Sequence, residues 1–162
     1  MSAYNRYAGG VAAILAAVVI VGAATEGSHA KTTNSNLKID ATAVASLTYK
    51  IISNPKTVEI TRSDLKNGFE VVPEGTKISV STNNPGGYTI SLQAADVKFF
   101  SSVKVTTKQG RTVTISHGKS ADIHIPGPIN GTDIQTLSYR FNLSDGAKPG
   151  MYPWPITISV HM

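Results

Sequence analysis

Thr76-Lys77-Ile78-Ser79-Val80-Ser81-Thr82, then Asn83-Asn84-Pro85-Gly86-Gly87, then Tyr88-Thr89-Ile90-Ser91-Leu92-Gln93-Ala94 is the stretch that decides how this chain folds. Apolar residues alternate with polar ones on both flanks: Ile78 and Val80 in the first, Tyr88, Ile90 and Leu92 in the second. Successive strand side chains point to opposite faces, so each flank makes a strand with one apolar face. The residues between them are Asn, Pro and Gly, which adopt turn dihedrals at little cost. The stretch therefore predicts a β-hairpin.

The same pattern recurs outward in both directions. Thr57 to Thr61 and Phe69 to Val72 read as short strands, the second broken by Pro73, and Ser63 to Gly68 is either one helical turn or a loop. Val97 to Thr107 and Arg111 to His117 flank Lys108-Gln109-Gly110 and predict a second hairpin. Ala121 to Ile125 is a strand stopped by Pro126-Gly127-Pro128, and Ile134 to Leu143 places Leu137, Tyr139, Phe141 and Leu143 on one face. Met151 to Met162 is the final strand. Pro153 and Pro155 have no N–H to offer, so its start must be an edge, a bulge or loop, with regular pairing from Ile156 onward. Ile156, Ile158 and Val160 then face inward, and Trp154, of the same parity, caps the core. About eight or nine short strands without a sustained 3.6-residue period predict an all-β fold, a two-sheet sandwich of immunoglobulin-like type.

Upstream, the alternation is unusually long. Leu37, Ile39, Ala41, Ala43, Ala45, Leu47, Tyr49 and Ile51 make one apolar edge over 15 residues. Fully extended that is roughly 50 Å, against about five or six residues for an ordinary strand. It is either two successive strands or one that reaches beyond its own domain.

Ahead of it the sequence reads as an export signal, with an uncleaved membrane anchor as the other reading. Arg6 supplies a positive start, Ala8 to Ala24 is an uncharged apolar run of 17 residues, and Ser28-His29-Ala30 offers small residues for cleavage. Cleavage after Ala24 is the alternative. The expected organisation is a signal peptide over 1–30, an N-terminal extension over 31–46 and a β-domain over 47–162. The chain has no Cys, which excludes a lipoprotein anchor, a disulfide framework and thiol chemistry. Its 15 Lys and Arg against 10 Asp and Glu give a net charge of +5. The Lys residues are scattered between apolar strand positions, which fits a solvated sheet face and not a nucleic-acid patch.

Catalytic chemistry is nearly absent. No Gly-x-Ser-x-Gly elbow, P-loop, dinucleotide fingerprint or EF-hand loop occurs. Asp122 and His124 share a strand face, and His117 lies just across Gly118-Lys119, so these three could hold a metal ion. A polar outer face explains them more simply. The expectation is a non-enzyme with no cofactor and no metal.

Taken in order, Asn36 to Ala45 after the signal, the middle pair Lys77 to Asn84 and Tyr88 to Asp96, and Pro149-Gly150-Met151-Tyr152 leading into the last strand resemble a chaperone–usher fimbrial subunit. The likeness is nearest to the cysteine-free α-class major pilins. It implies an incomplete sandwich, completed by the N-terminal extension of the next subunit after a periplasmic chaperone has lent a strand and an outer-membrane usher has accepted the complex. By that resemblance Leu37, Ile39, Ala41 and Ala43 are the inserted side chains, and the last strand, Ile156, Ile158 and Val160, borders the groove. Partners would be copies of the chain itself, and the destination a fimbrium at the cell surface, reached through the periplasm. Two features depart from the pattern: Pro153-Trp154-Pro155 interrupts the last strand, and no Gly or Pro separates Leu37 from Ile52.

A different class of function is a monomeric exported sandwich that binds carbohydrate or a cell-surface ligand. Gly87-Tyr88-Thr89 is similar to the hairpins of WxL-like wall-associated domains, although Trp154 is followed by Pro155-Ile156 and the Trp-x-Leu signature is missing. In that reading Trp154 and Tyr88 are the candidate ligand contacts.

Overall fold

A computed structural model describes residues 44–129 and 131–162. The expected signal peptide and the expected donor side chains Leu37, Ile39, Ala41 and Ala43 lie outside the described residues. In chain order the elements are β1 (Leu47–Ser53), β2 (Thr57–Ile60), α1 (Arg62–Asn67), β3 (Phe69–Thr82), β4 (Tyr88–Ala94) and β5 (Phe100–Thr107). They continue as β6 (Thr112–Ser116), β7 (Ser120–Ile125), β8 (Thr132–Leu143), β9 (Gly150–Pro153) and β10 (Ile156–His161). The all-β expectation is met. A five-stranded antiparallel sheet, β1-β3-β8-β5-β6, and a three-stranded one, β10-β4-β7, form a sandwich-like pair, with β2 and β9 as a separate ribbon.

The inward parity of each strand fills the space between the sheets. Ile78 and Val80 of β3, Ile90 and Leu92 of β4, Val103 and Val105 of β5, and Leu137, Tyr139 and Phe141 of β8 are all buried. Phe100 and Phe141 meet edge-on at 5.3 Å between ring centroids, a geometry that aromatic quadrupoles favour.

The expected hairpin over Thr76 to Ala94 is not one. β3 and β4 do not pair: β3 lies between β1 and β8, and β4 between β10 and β7. Asn83 to Gly87 is an arch that carries the chain from one sheet to the other. Both flanks are apolar on one face, and stacked sheets about 10 Å apart bury both faces against each other, whereas a hairpin leaves both on one side. Asn84 closes the arch, its Nδ2 donating to the Gly87 carbonyl at 2.8 Å and its Oδ1 accepting from Gly86 N at 3.2 Å.

Pro73 does not break the strand there either. β3 runs through it, absorbing Pro73-Glu74-Gly75 as an irregularity between Val72 and Thr76. Glu74 takes φ 48° and its N–H donates to Ser138 Oγ at 3.0 Å, so the bulged backbone stays satisfied. The Lys108-Gln109-Gly110 hairpin forms as expected, joining β5 to β6. Of the two readings of Ser63 to Gly68 the helix holds. Thr61 and Asp64 form a reciprocal capping box, which lowers the Asp64 pKa, and Gly68 ends the helix at φ 78°.

The last strand divides at the prolines. β9 pairs with β2, and regular pairing with β4 begins at Ile156, where the prolines end.

Candidate functional site

The two sheets differ in width, and that difference creates the site. β7 follows β6 across a three-residue turn and lies against it, so the narrow sheet starts over the β6 edge. Its order, β7 then β4 then β10, runs toward the opposite side of the wide sheet and stops with β10. Beyond β10 the inward face of β1 has no strand across from it among the described residues.

Exposure records the asymmetry. At the β6 edge the inward Ile115 is 1% exposed. At the β1 edge, Tyr49 lies opposite the buried Val80 and Ile51 opposite the buried Ile78, so both share the core face. Directly opposite residues of an antiparallel pair lie on the same side of the sheet. Yet Tyr49 is 43% exposed and Ile51 39%. On β10 the inward Ile158 and Val160 are 9% and 7% exposed, where their β4 partners Leu92 and Ile90 are fully covered. Tyr49 and Ile51 thus leave a partly uncovered apolar strip on the inward face of β1, and among the described residues β1 and β10 are each an edge strand of their sheet. A free edge presents unpaired N–H and C=O groups, which is what an added strand uses. Ile156, Ile158 and Val160, which the resemblance implies border a groove, are inward-facing residues of the edge strand β10. Tyr49 and Ile51, read from the sequence only as part of an alternating edge, are the inward-facing residues that stay uncovered on β1.

The other residues singled out from sequence are spread over the molecule. Tyr88 is 1% exposed, so it offers no face to a ligand. Its hydroxyl donates to Asp133 Oδ2 at 2.6 Å, and burial together with that carboxylate pushes the phenol pKa far up. Gln135 Nε2 donates to the same oxygen at 2.8 Å. Trp154 is half-buried, meeting Tyr139 edge-on at 4.9 Å and Phe141 at 5.6 Å. It borders an apolar pocket of about 290 Å³ with Phe99, Tyr152 and Ala147, rimmed by Lys98 and Lys148. A larger cavity of about 560 Å³ lies at the far end, between Arg111, Pro126, Pro128 and Asp133.

His117, Asp122 and His124 are not brought together. His117 Nδ1 sits 2.9 Å from Asp96 Oδ1, whereas Asp122 accepts from Ser91 at 2.6 Å on the outer face of the narrow sheet. Among the described residues no three His, Cys, Asp or Glu side chains converge on a metal-binding geometry.

Two polar arrangements escaped the sequence reading. One is the Tyr88–Asp133–Gln135 network, signalled only by Asp133 and Gln135 sharing parity with Leu137 and Tyr139. The other is Asn83, which reads as a turn residue but bonds to the chain entering β1. Compared with known families, with curated proteins and with solved structures, the chain has no match.

Proposed function

We propose that this chain is a structural subunit of a surface fimbria, joined to its neighbours by donor-strand exchange. The observation that carries the reading is the uncovered inward face of β1, with β1 and β10 both edge strands; the reading puts a cleft between them. A strand laid there would pair with the free edge of β10 and turn alternate side chains toward Tyr49 and Ile51. The segment Leu37 to Ala43 supplies such a strand, with Leu37, Ile39, Ala41 and Ala43 on one parity. One head-to-tail contact repeated from chain to chain gives an open filament. An exported subunit with this cleft empty exposes apolar surface and unpaired edge, which accounts for a chaperone that lends a strand and an usher that exchanges it. The route is through the periplasm to the cell surface, with adhesion as the filament's task.

The test compares the chain from Lys31 with and without a second copy of Lys31 to Leu47 fused after Met162 through a flexible linker. Covering the cleft with Leu and Ile side chains is worth about 3 kcal/mol, a rise of about 10 °C in the thermal midpoint. That rise, with oligomers converted to monomer, is the expected result. Equal midpoints from two clean monomers would refute the proposal.

A second reading has its own observation. The pocket beside Trp154 combines stacked Phe99 and Tyr152 rings, 4.4 Å apart, with two Lys at its rim. A monomeric exported sandwich that binds carbohydrate there would lose ligand on Tyr152→Ala, measured by glycan-array binding, with its oligomeric state unchanged.

A further inference from the structure

Side chains hold the point at which the N-terminal segment joins the sandwich. Asn83 Oδ1 accepts from Ser46 N at 2.6 Å, and Asn83 Nδ2 donates to the Val44 carbonyl at 2.9 Å. Thr82 Oγ1 donates to the Ser46 carbonyl at 2.7 Å, and Asn83 N donates to the same oxygen at 3.3 Å. These bonds continue the β1–β3 pairing past its last register pair, Leu47 with Thr82. The Asn83 carboxamide, a donor and an acceptor side by side, takes the place of strand backbone.

The same end of the molecule shows what it takes to cross from the wide sheet to the narrow one. β3 reaches β4 through Asn83-Asn84-Pro85-Gly86-Gly87, with Gly87 at φ +85°. A chain that filled its own cleft would have to make an equivalent crossing just ahead of β1. The residues there are Thr42, Ala43, Val44, Ala45 and Ser46, with no Gly, Pro or Asn. Turn conformations with φ > 0 are costly for such residues. Val44 and Ser46 are moreover already bonded to Asn83.

We propose that Asn83 is a positioning residue that denies the cleft to the chain's own N-terminal segment and presents that segment to a second copy. The inference rests on the donor-strand reading above and adds the residue that keeps the cleft from being filled by the chain's own segment. The absence of a hinge between Leu37 and Ile52 then has a purpose, because a flexible junction would permit self-insertion.

The experiment uses the chain from Lys31 and two variants, Asn83→Ala and the triple Val44→Pro/Ala45→Gly/Ser46→Gly, which gives the junction turn residues. Mass is read by light scattering and the midpoint by thermal unfolding. The parent is expected to form concentration-dependent oligomers. Asn83→Ala should at least halve the oligomeric fraction, and the triple variant should be monomeric with a midpoint independent of concentration. Variants that oligomerise like the parent overturn the proposal, and so does a parent that is already monomeric. A third chain, Leu37→Asp/Ile39→Asp, receives a free peptide of residues 36–47. If the peptide fails to raise its midpoint, the donor-strand reading itself falls. If the peptide raises it while both junction variants still oligomerise, only the role of Asn83 is lost.

Discussion

Tyr88 and Tyr139 enter the core from facing sheets and take their hydroxyls with them. Tyr139 donates to Thr76 Oγ1 at 2.8 Å, and Tyr88 to Asp133. Burial raises both phenol pKa values above the ordinary value near 10. Below pH 10 both states are protonated and the stabilisation is fully present. Above it the unfolded chain releases protons that the folded chain keeps, so stability falls as pH rises, by up to about 1.4 kcal/mol per pH unit for each tyrosine. Urea midpoints taken from pH 9 to 12 should show this slope, and Tyr139→Phe should remove about half of it. Gln135 Oε1 is buried without a hydrogen-bond partner, a cost tolerated beside its bond to Asp133. That Asp133 faces inward is visible in its parity with Leu137. That it meets Tyr88 is not, because the two lie on different sheets.

At the scale of elements, the arch and the Pro126-Gly127-Pro128 turn interlock. A Cβ on Gly87 would run into the Ile125 carbonyl oxygen, and one on Gly127 into the Pro85 carbonyl oxygen. Gly87→Ala also strains φ +85°, so the expected loss is about 3 kcal/mol or more by urea unfolding. Gly110→Ala is the control: it has a similar φ of +80° but open space around it, and should cost about 1 kcal/mol. The elements themselves were largely legible. Alternation located the main strands, the prolines located the break before Ile156, and Lys108-Gln109-Gly110 located a true hairpin. The arch was misread because Asn-Asn-Pro-Gly-Gly reverses the chain equally well within a sheet or between sheets. Pro73 was misread as a stop because the Ser138 hydroxyl that satisfies the bulge is 64 residues away.

At the largest scale, the described residues form a five-stranded sheet facing a three-stranded one, with β2 and β9 as a separate ribbon and the mismatch in width gathered at β1. Because Tyr49 is already 43% exposed, Tyr49→Asp should cost the unassisted chain under about 1 kcal/mol. In the chain with the fused second segment, the same change should abolish most of the added stability. A Tyr49→Asp loss equal in both backgrounds would mean that nothing lies over β1. The sequence by itself determined the strand positions, the inward parity of each strand and the absence of thiol chemistry, because period-two alternation and turn residues are local properties of the chain. Tertiary structure alone decided which strands pair, where the narrow sheet ends and that Tyr49 and Ile51 stay uncovered. Those follow from hydrogen bonds and packing between residues distant in sequence, which no local pattern encodes.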